Sequence, residues 1–199
     1  MNRNQAPMPV PHGPVTIALH WTAAVLVVAA FTMGLAMEEL PRGETRNFAM
    51  MLHYSLGTMV LGSVLLRLLH RLLLRPASAP AAGLAARLAS LAHWALYGLM
   101  LGIPMTGALD RWARGRPLSV FGGFVVPAPF PIPASKVWED IHGAMAWTLV
   151  GLVVAHAAAA LWHHLVLRDG VLLRMLPGRL TQRVGMAGAA RRAGPSLSR

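Results

Sequence analysis

Residues 138–167 read WEDIHGAMAWTLVGLVVAHAAAALWHHLVL, and this stretch decides the fold. From Ile141 to Leu167 it continues for 27 residues without one charged side chain, which is long enough for a helix to cross a bilayer. It nevertheless carries four histidines, and ionisable residues inside an apolar membrane segment are costly and usually functional. These histidines are His142, His156, His163 and His164. The stretch therefore predicts a transmembrane helix with a functional face.

Two of these histidines share one face of the predicted helix. His142 and His156 are 14 positions apart, which brings them within about 40° of each other around the helix axis and separates them by roughly 21 Å along it. His163 continues the stripe about 10 Å further on. Each membrane surface thus receives an imidazole from the same helix.

The composition is that of a membrane protein. Hydrophobic residues make up 55% of the chain and charged residues only 13%, whereas a soluble domain carries about 25% charged residues. There is no cysteine, which excludes disulfides, thiolate-bound metals and c-type haem attached through a Cys-x-x-Cys-His motif. Any cofactor must be held by other side chains.

Three further apolar segments set the fold class. Helices are predicted at about residues 15–37, 48–69, 88–109 and 138–167. We therefore expect an all-α integral membrane four-helix bundle within residues 15–170. The remaining segments are predicted as an N-terminal tail (1–14), a basic loop (70–90), a connection rich in proline and aromatic residues that lies as a lid at the membrane interface (110–140), and a basic C-terminal tail (171–199).

The distribution of charge predicts the topology. The two tails and the segment 67–90 together carry a net charge of +11, whereas the two connections on the other side sum to zero. By the positive-inside rule both termini are expected in the cytoplasm. The basic residues then mark orientation and a partner surface for anionic membrane lipid, and they give no support to nucleic-acid binding.

Histidine depth follows from this topology. His53 and His142 are placed near the outer surface on separate helices, while His20, His93 and His156 are placed near the inner one. An iron porphyrin takes two axial nitrogens from opposite sides, and neutral imidazole is a good ligand for it. We expect an outer haem between His53 and His142, and an inner haem held by His156 with either His20 or His93. The competing interpretation of each histidine is a structural, hydrogen-bonded residue.

Several motifs resemble the bacterial cytochrome b561 family over about residues 15–177. They are Ala18-Leu19-His20-Trp21, Met51-Leu52-His53, Leu91-Ala92-His93, the run from Trp138 to His156, and Leu172-Leu173-Arg174-Met175-Leu176-Pro177. That family is a four-helix membrane protein with two b haems. The resemblance implies that His20 and His156 bind one haem, and that His53 and His142 bind the other.

The resemblance also implies a function in the cytoplasmic (inner) membrane. Two haems across a bilayer carry electrons between a periplasmic-side donor and the quinone pool, and some family members oxidise superoxide and reduce ubiquinone. The expected activity is thus that of a superoxide:ubiquinone oxidoreductase, or otherwise plain electron transfer. Six cations of the outer connections are candidates for steering a small anion: Arg42, Arg46, Arg111, Arg114, Arg116 and Lys136.

Two further residues are candidates at the inner side. His163 is a candidate hydrogen-bond partner of the quinone. Arg67 is a candidate partner of a haem propionate or of the quinone, and snorkelling to the lipid headgroups is the competing interpretation. Two other functions stay open: a membrane-anchoring subunit that relays electrons between quinone and a larger periplasmic dehydrogenase, and a structural or metal-transporting protein without haem.

Overall fold

Four long α-helices dominate the computed structural model, which describes residues 12–74, 83–167 and 171–176. They are α1 (Pro14–Glu39), α2 (Glu44–Leu74), α3 (Leu84–Ala113) and α4 (Val137–Trp162). All four are long and apolar enough to cross a membrane. The predicted four-helix membrane fold is therefore confirmed. Most of both predicted tails, residues 1–11 and 177–199, lies outside the described residues.

The connection between α2 and α3 is shorter than the sequence analysis expected. A loop was predicted from 70 to 90, but α2 continues to Leu74 and α3 already begins at Leu84. Leucine, alanine and arginine, which fill these helix ends, are strong helix formers. Both helices therefore extend a few residues beyond the predicted bounds, and within the described residues the connection is correspondingly shorter.

The predicted lid contains regular structure that the sequence analysis missed. A hairpin pairs strand β1 (Leu118–Val120) with strand β2 (Phe124–Val126) in antiparallel register, with Val120 opposite Phe124. Phe121, at the tip, has a left-handed φ of 52°. The backbone N–H of Phe121 donates a 2.8 Å hydrogen bond to Oγ of Ser55 on α2. Trp112 at the end of α3 holds the other strand through a 3.1 Å bond from its indole N–H to the carbonyl of Val126.

The chain divides into two compact units, of which the larger comprises residues 19–156. Its core draws on all four helices, and Val64 of α2 is its fully buried centre. Many large apolar side chains stay exposed instead, such as Leu72 at 80%, which is the pattern of a surface that faces lipid. The buried core consists of Ala23, Leu26, Val60, Val64, Met100 and Leu149.

The smaller unit comprises residues 1–18 and 157–199. Its described part includes a π-helical turn (His163–Leu167) and a 3-10 turn (Leu172–Met175). The backbone N–H of His12 donates to the carbonyl of Arg174 at 3.0 Å.

Candidate functional site

A facing pair of histidines lies at the end of the bundle that carries the β-hairpin, here called the hairpin end. His53 belongs to α2 and His142 to α4, and both helices begin at this end. The centroids of their rings are 6.1 Å apart, and the ring planes are inclined by 78°. Both side chains are half-buried. The structure thus brings together the two histidines that the sequence analysis assigned to one layer.

Each ring of this pair is held by a backbone carbonyl from a neighbouring helix. Nδ1 of His53 lies 2.9 Å from the carbonyl oxygen of Ala30 on α1, and Nδ1 of His142 lies 2.9 Å from that of Ile103 on α3. Because a carbonyl only accepts, Nδ1 must carry the proton in both rings. The lone pair is then on Nε2, which is the form of imidazole that binds a metal.

A cavity of about 1300 Å³ opens around this pair. It is larger than the 300–1,000 Å³ of ordinary small-molecule pockets, and both His53 and His142 line it. Five of the six predicted outer cations also line it, and they are Arg42, Arg46, Arg111, Arg114 and Arg116. The sixth, Lys136, does not line this cavity and lies 3.7 Å from Asp140.

Some of these cations are already paired. Arg114, just beyond α3, binds Asp110 at 3.0 Å and Glu139 of α4 at 2.8 Å. The hydrogen bond with Asp110 is the main cause that raises the pKa of Arg114 above its ordinary value. Within the part of the chain that the structure describes, Arg42 and Arg116 form no ion pair with a carboxylate. Their charge is therefore available to an incoming anion.

Three histidines gather at the opposite end of the larger unit, here called the far end. His156 of α4 has its ring centroid 6.4 Å from that of His20 on α1 and 5.4 Å from that of His93 on α3. His20 and His156 are half-buried, whereas His93 is exposed. Nδ1 of His93 lies 2.7 Å from the carbonyl oxygen of Ala89 in its own helix. The three histidines that the sequence analysis assigned to one layer therefore lie together, and His93 is the exposed one.

Arg67 belongs to this far-end cluster. Its Nη1 lies 3.3 Å from Nδ1 of His20, and its guanidinium carbon lies 5.5 Å from the centre of the Tyr97 ring. A guanidinium only donates, so Nδ1 of His20 accepts this hydrogen bond. His20 therefore has the tautomer opposite to that of His53 and His142.

His163, the predicted quinone partner, lies in the smaller unit as the first residue of the π-helical turn. The prediction placed His163 on the same face of a continuous α-helix as His156, but α4 ends at Trp162. The role of His163 as a quinone partner stays a prediction.

Two glycines of the site were missed by the sequence analysis. Gly34 on α1 lies against the ring of His53, and Gly107 on α3 lies against the ring of His142. Their position four residues after Ala30 and Ile103 is visible in the sequence, but its meaning depends on knowing which helices are neighbours.

The described residues (12–74, 83–167 and 171–176) contain no group of three or more His, Cys, Asp or Glu side chains that could hold a metal ion. A porphyrin iron needs only two axial ligands from the protein. A pair of facing histidines can supply these two ligands.

Comparison with known proteins identifies relatives along most of the chain. A sequence profile described as "Prokaryotic cytochrome b561" matches residues 11–178. The Escherichia coli protein "Cytochrome b561 homolog 2" is 36% identical over 175 residues, which cover 84% of this chain and 92% of that protein. The Yersinia pestis protein "Probable superoxide oxidase CybB" is 30% identical over 168 residues, which cover 81% of this chain and 93% of that protein.

Proposed function

Because the chain belongs to the prokaryotic cytochrome b561 family, we propose that it carries electrons through two b haems from a donor at the hairpin end to quinone at the far end. Family membership makes it a multi-pass inner-membrane b-type cytochrome of electron transfer. The number of haems, their ligands and the two reaction partners are our proposal.

The spacing of the histidine pairs carries this proposal. A metal–imidazole bond is about 2.0 Å long and the ring centre lies about 1.1 Å beyond the bonded nitrogen, so two imidazoles that held one haem iron from opposite sides would have centroids roughly 6.2 Å apart. The His53–His142 separation of 6.1 Å and the His20–His156 separation of 6.4 Å fit this value. The His93–His156 separation of 5.4 Å lies further from this value, and the family resemblance also implies His20 as the far-end ligand.

Haem binding at the far end requires Arg67 to change its partner. A neutral imidazole that gives the Nε2 lone pair to iron keeps its proton on Nδ1, and this nitrogen can then no longer accept from Arg67. The guanidinium needs another acceptor, and a haem propionate offers the bidentate carboxylate that arginine prefers. We therefore assign Arg67 to a propionate of the far-end haem.

The protein groups determine how electrons enter and leave. Bound haem supplies one-electron oxidation and reduction. If two histidines held each iron, no coordination position would be left for a substrate, and the donor and the acceptor would each have to meet a ring edge. The hairpin-end arginines raise the local concentration of an anionic donor. With both termini in the cytoplasm, as the charge asymmetry favours, the hairpin end faces the periplasm.

We propose superoxide as the specific electron donor. Two superoxide anions each give up one electron and leave as O₂, and one ubiquinone takes up the two electrons with two protons to become ubiquinol. Support comes from the relative named a probable superoxide oxidase and from Arg42 and Arg116, which line the hairpin-end cavity and form no ion pair with a carboxylate of the described residues.

Stopped-flow mixing of the oxidised protein with superoxide tests this form. We expect reduction of haem at a rate close to the diffusion limit, ~10⁸–10⁹ M⁻¹s⁻¹ for a steered small anion. A rate no higher than that of a haem protein without a basic rim would remove superoxide as the donor and leave quinone-linked electron transfer in place.

A second function is favoured by the exposed apolar hairpin. Phe124 and Val125 are 69% and 61% exposed, and an apolar surface at the hairpin end suits docking of a larger periplasmic dehydrogenase. The chain would then relay electrons between that enzyme and quinone. The test is the double variant Phe124→Ser and Val125→Ser. If this variant keeps its haem but no longer supports quinone reduction by the dehydrogenase, the result supports this function. Unchanged quinone reduction would contradict it.

A further inference from the structure

Gly34 and Gly107 leave room for the two histidine rings of the hairpin end. A Cβ added to Gly107 would lie 3.0 Å from Cε1 and 3.1 Å from Nδ1 of His142. A Cβ added to Gly34 would lie 3.2 Å from Cε1 and 3.5 Å from Nδ1 of His53. Carbon atoms that are not bonded prefer about 3.5–4.0 Å. An alanine at either position would therefore push the ring away by a few tenths of an ångström, and the effect is greater at Gly107.

The two contacts are built in the same way. His53 bonds the carbonyl of Ala30, four residues before Gly34, and His142 bonds the carbonyl of Ile103, four residues before Gly107. A helical side chain leans toward the N-terminus and covers the turn that precedes it. A side chain at position 34 or 107 would thus cover the carbonyl that the imidazole reaches. Glycine leaves the second lone pair of that carbonyl open to the ring.

The far-end histidines lack this arrangement. Nδ1 of His20 faces Arg67, and the carbonyl that His93 reaches belongs to its own helix. Within the described residues, Gly34 and Gly107 are the glycines at which an added Cβ would meet a histidine. A substitution at either glycine should therefore displace a histidine of the hairpin-end pair and leave the far-end histidines in place.

We propose that Gly34 and Gly107 are positioning residues for the axial ligands of the hairpin-end haem, and that they keep its reduction potential low. The inference rests on the proposed haem between His53 and His142. A histidine that donates its second N–H to a carbonyl becomes a more basic ligand and is fixed in its orientation. More electron donation to the iron favours the ferric state, so a weaker Nδ1–H···O bond should raise the potential of this haem alone.

The test is a spectroscopic redox titration of the purified full-length protein and of the variants Gly34→Ala and Gly107→Ala, together with the haem-to-protein ratio. The matched control is Gly98→Ala, because Gly98 lies on α3 with Gly107 and an added Cβ there meets no atom within 4 Å. We expect the midpoint potential of one haem to rise, more in Gly107→Ala than in Gly34→Ala, while the other potential stays at the wild-type value. Loss of the hairpin-end haem alone, with the far-end haem retained, would also agree with the proposal.

Two outcomes would overturn the proposal. One is that both glycine variants keep two haems with both wild-type potentials. The other is that they lose both haems together, which would mean that they disturb the bundle as a whole. His53→Ala and His142→Ala test the underlying site independently, since retention of two haems in both variants would show that the hairpin-end haem is held elsewhere.

Discussion

Arg67 of α2 donates a hydrogen bond across 3.3 Å to Nδ1 of His20 on α1. The cationic side chain is half-buried and also stacks over Tyr97 of α3 at 5.5 Å. One arginine thus joins three helices at the level of the far-end histidines. A fixed positive charge at this depth should influence both the ligand that it contacts and the potential of a haem bound there.

Removal of this charge should lower the potential of the far-end haem. A unit charge at ~10 Å in protein of effective dielectric constant ~20 is worth about 1.7 kcal/mol, or roughly 70 mV for one electron. We expect Arg67→Gln to lower one midpoint potential by about this amount and Arg67→Lys to lower it less. Potentiometric titration of both haems provides the measurement, and a shift of the hairpin-end potential instead would contradict the assignment of Arg67.

Ser55 should control the stability of the β-hairpin. Its Oγ accepts the backbone N–H of Phe121, and it is buried at 7% exposure. Ser55→Ala leaves that N–H without its partner, which costs about 1–3 kcal/mol. We expect amide exchange in residues 118–126 to accelerate roughly 5- to 150-fold.

The matched control for Ser55 is Ser63→Ala. Ser63 is equally buried at 7%, but its Oγ bonds the carbonyl of Val60 within α2. Hydrogen exchange followed by mass spectrometry should show a wild-type hairpin in this control. Equal acceleration in the two variants would mean that the Ser55–Phe121 bond does not anchor the hairpin.

Arg42 and Arg116, which line the hairpin-end cavity, should accelerate the reaction with superoxide. Arg42→Gln and Arg116→Gln are each expected to slow haem reduction about 2- to 10-fold at low ionic strength, because they weaken the attraction of an anion. The difference should largely vanish near ~0.5 M salt, where screening is strong.

The control for these arginine variants is Arg87→Gln. Arg87 is an exposed cation near the start of α3, away from the hairpin end. Stopped-flow traces of Arg87→Gln should match those of the wild type at all salt concentrations. Equal slowing in this variant would indicate an effect of total charge and not of the hairpin-end arginines.

The layers of histidines could be predicted from the sequence because helix length and phase fix their depth. Apolar segments of known length place His53 and His142 at corresponding depths once the direction of each helix is known, and the structure brings them within 6.1 Å. His20, His93 and His156 also meet as the segment order implied. Periodicity alone did not decide between His20 and His93, because both helices begin at the same end.

Features that depend on neighbouring helices could not be predicted. Strands of three residues, such as Leu118–Val120, are too short to show an alternating pattern, and their place depends on the contacts of Ser55 and Trp112. In the sequence, nothing distinguishes Gly34 and Gly107 from the other small residues of the membrane helices. Their role emerges only when the rings of His53 and His142 are seen against them.

The haem content of single histidine variants tests the central claim most directly. We expect two haems per wild-type chain and one haem in each of the variants His53→Ala, His142→Ala, His20→Ala and His156→Ala, with the same reduced α-band remaining in both variants of a pair. His93→Ala should retain two haems. A wild-type protein without haem, or the loss of one haem from His93→Ala and of none from His20→Ala, would contradict the proposed ligand pairs.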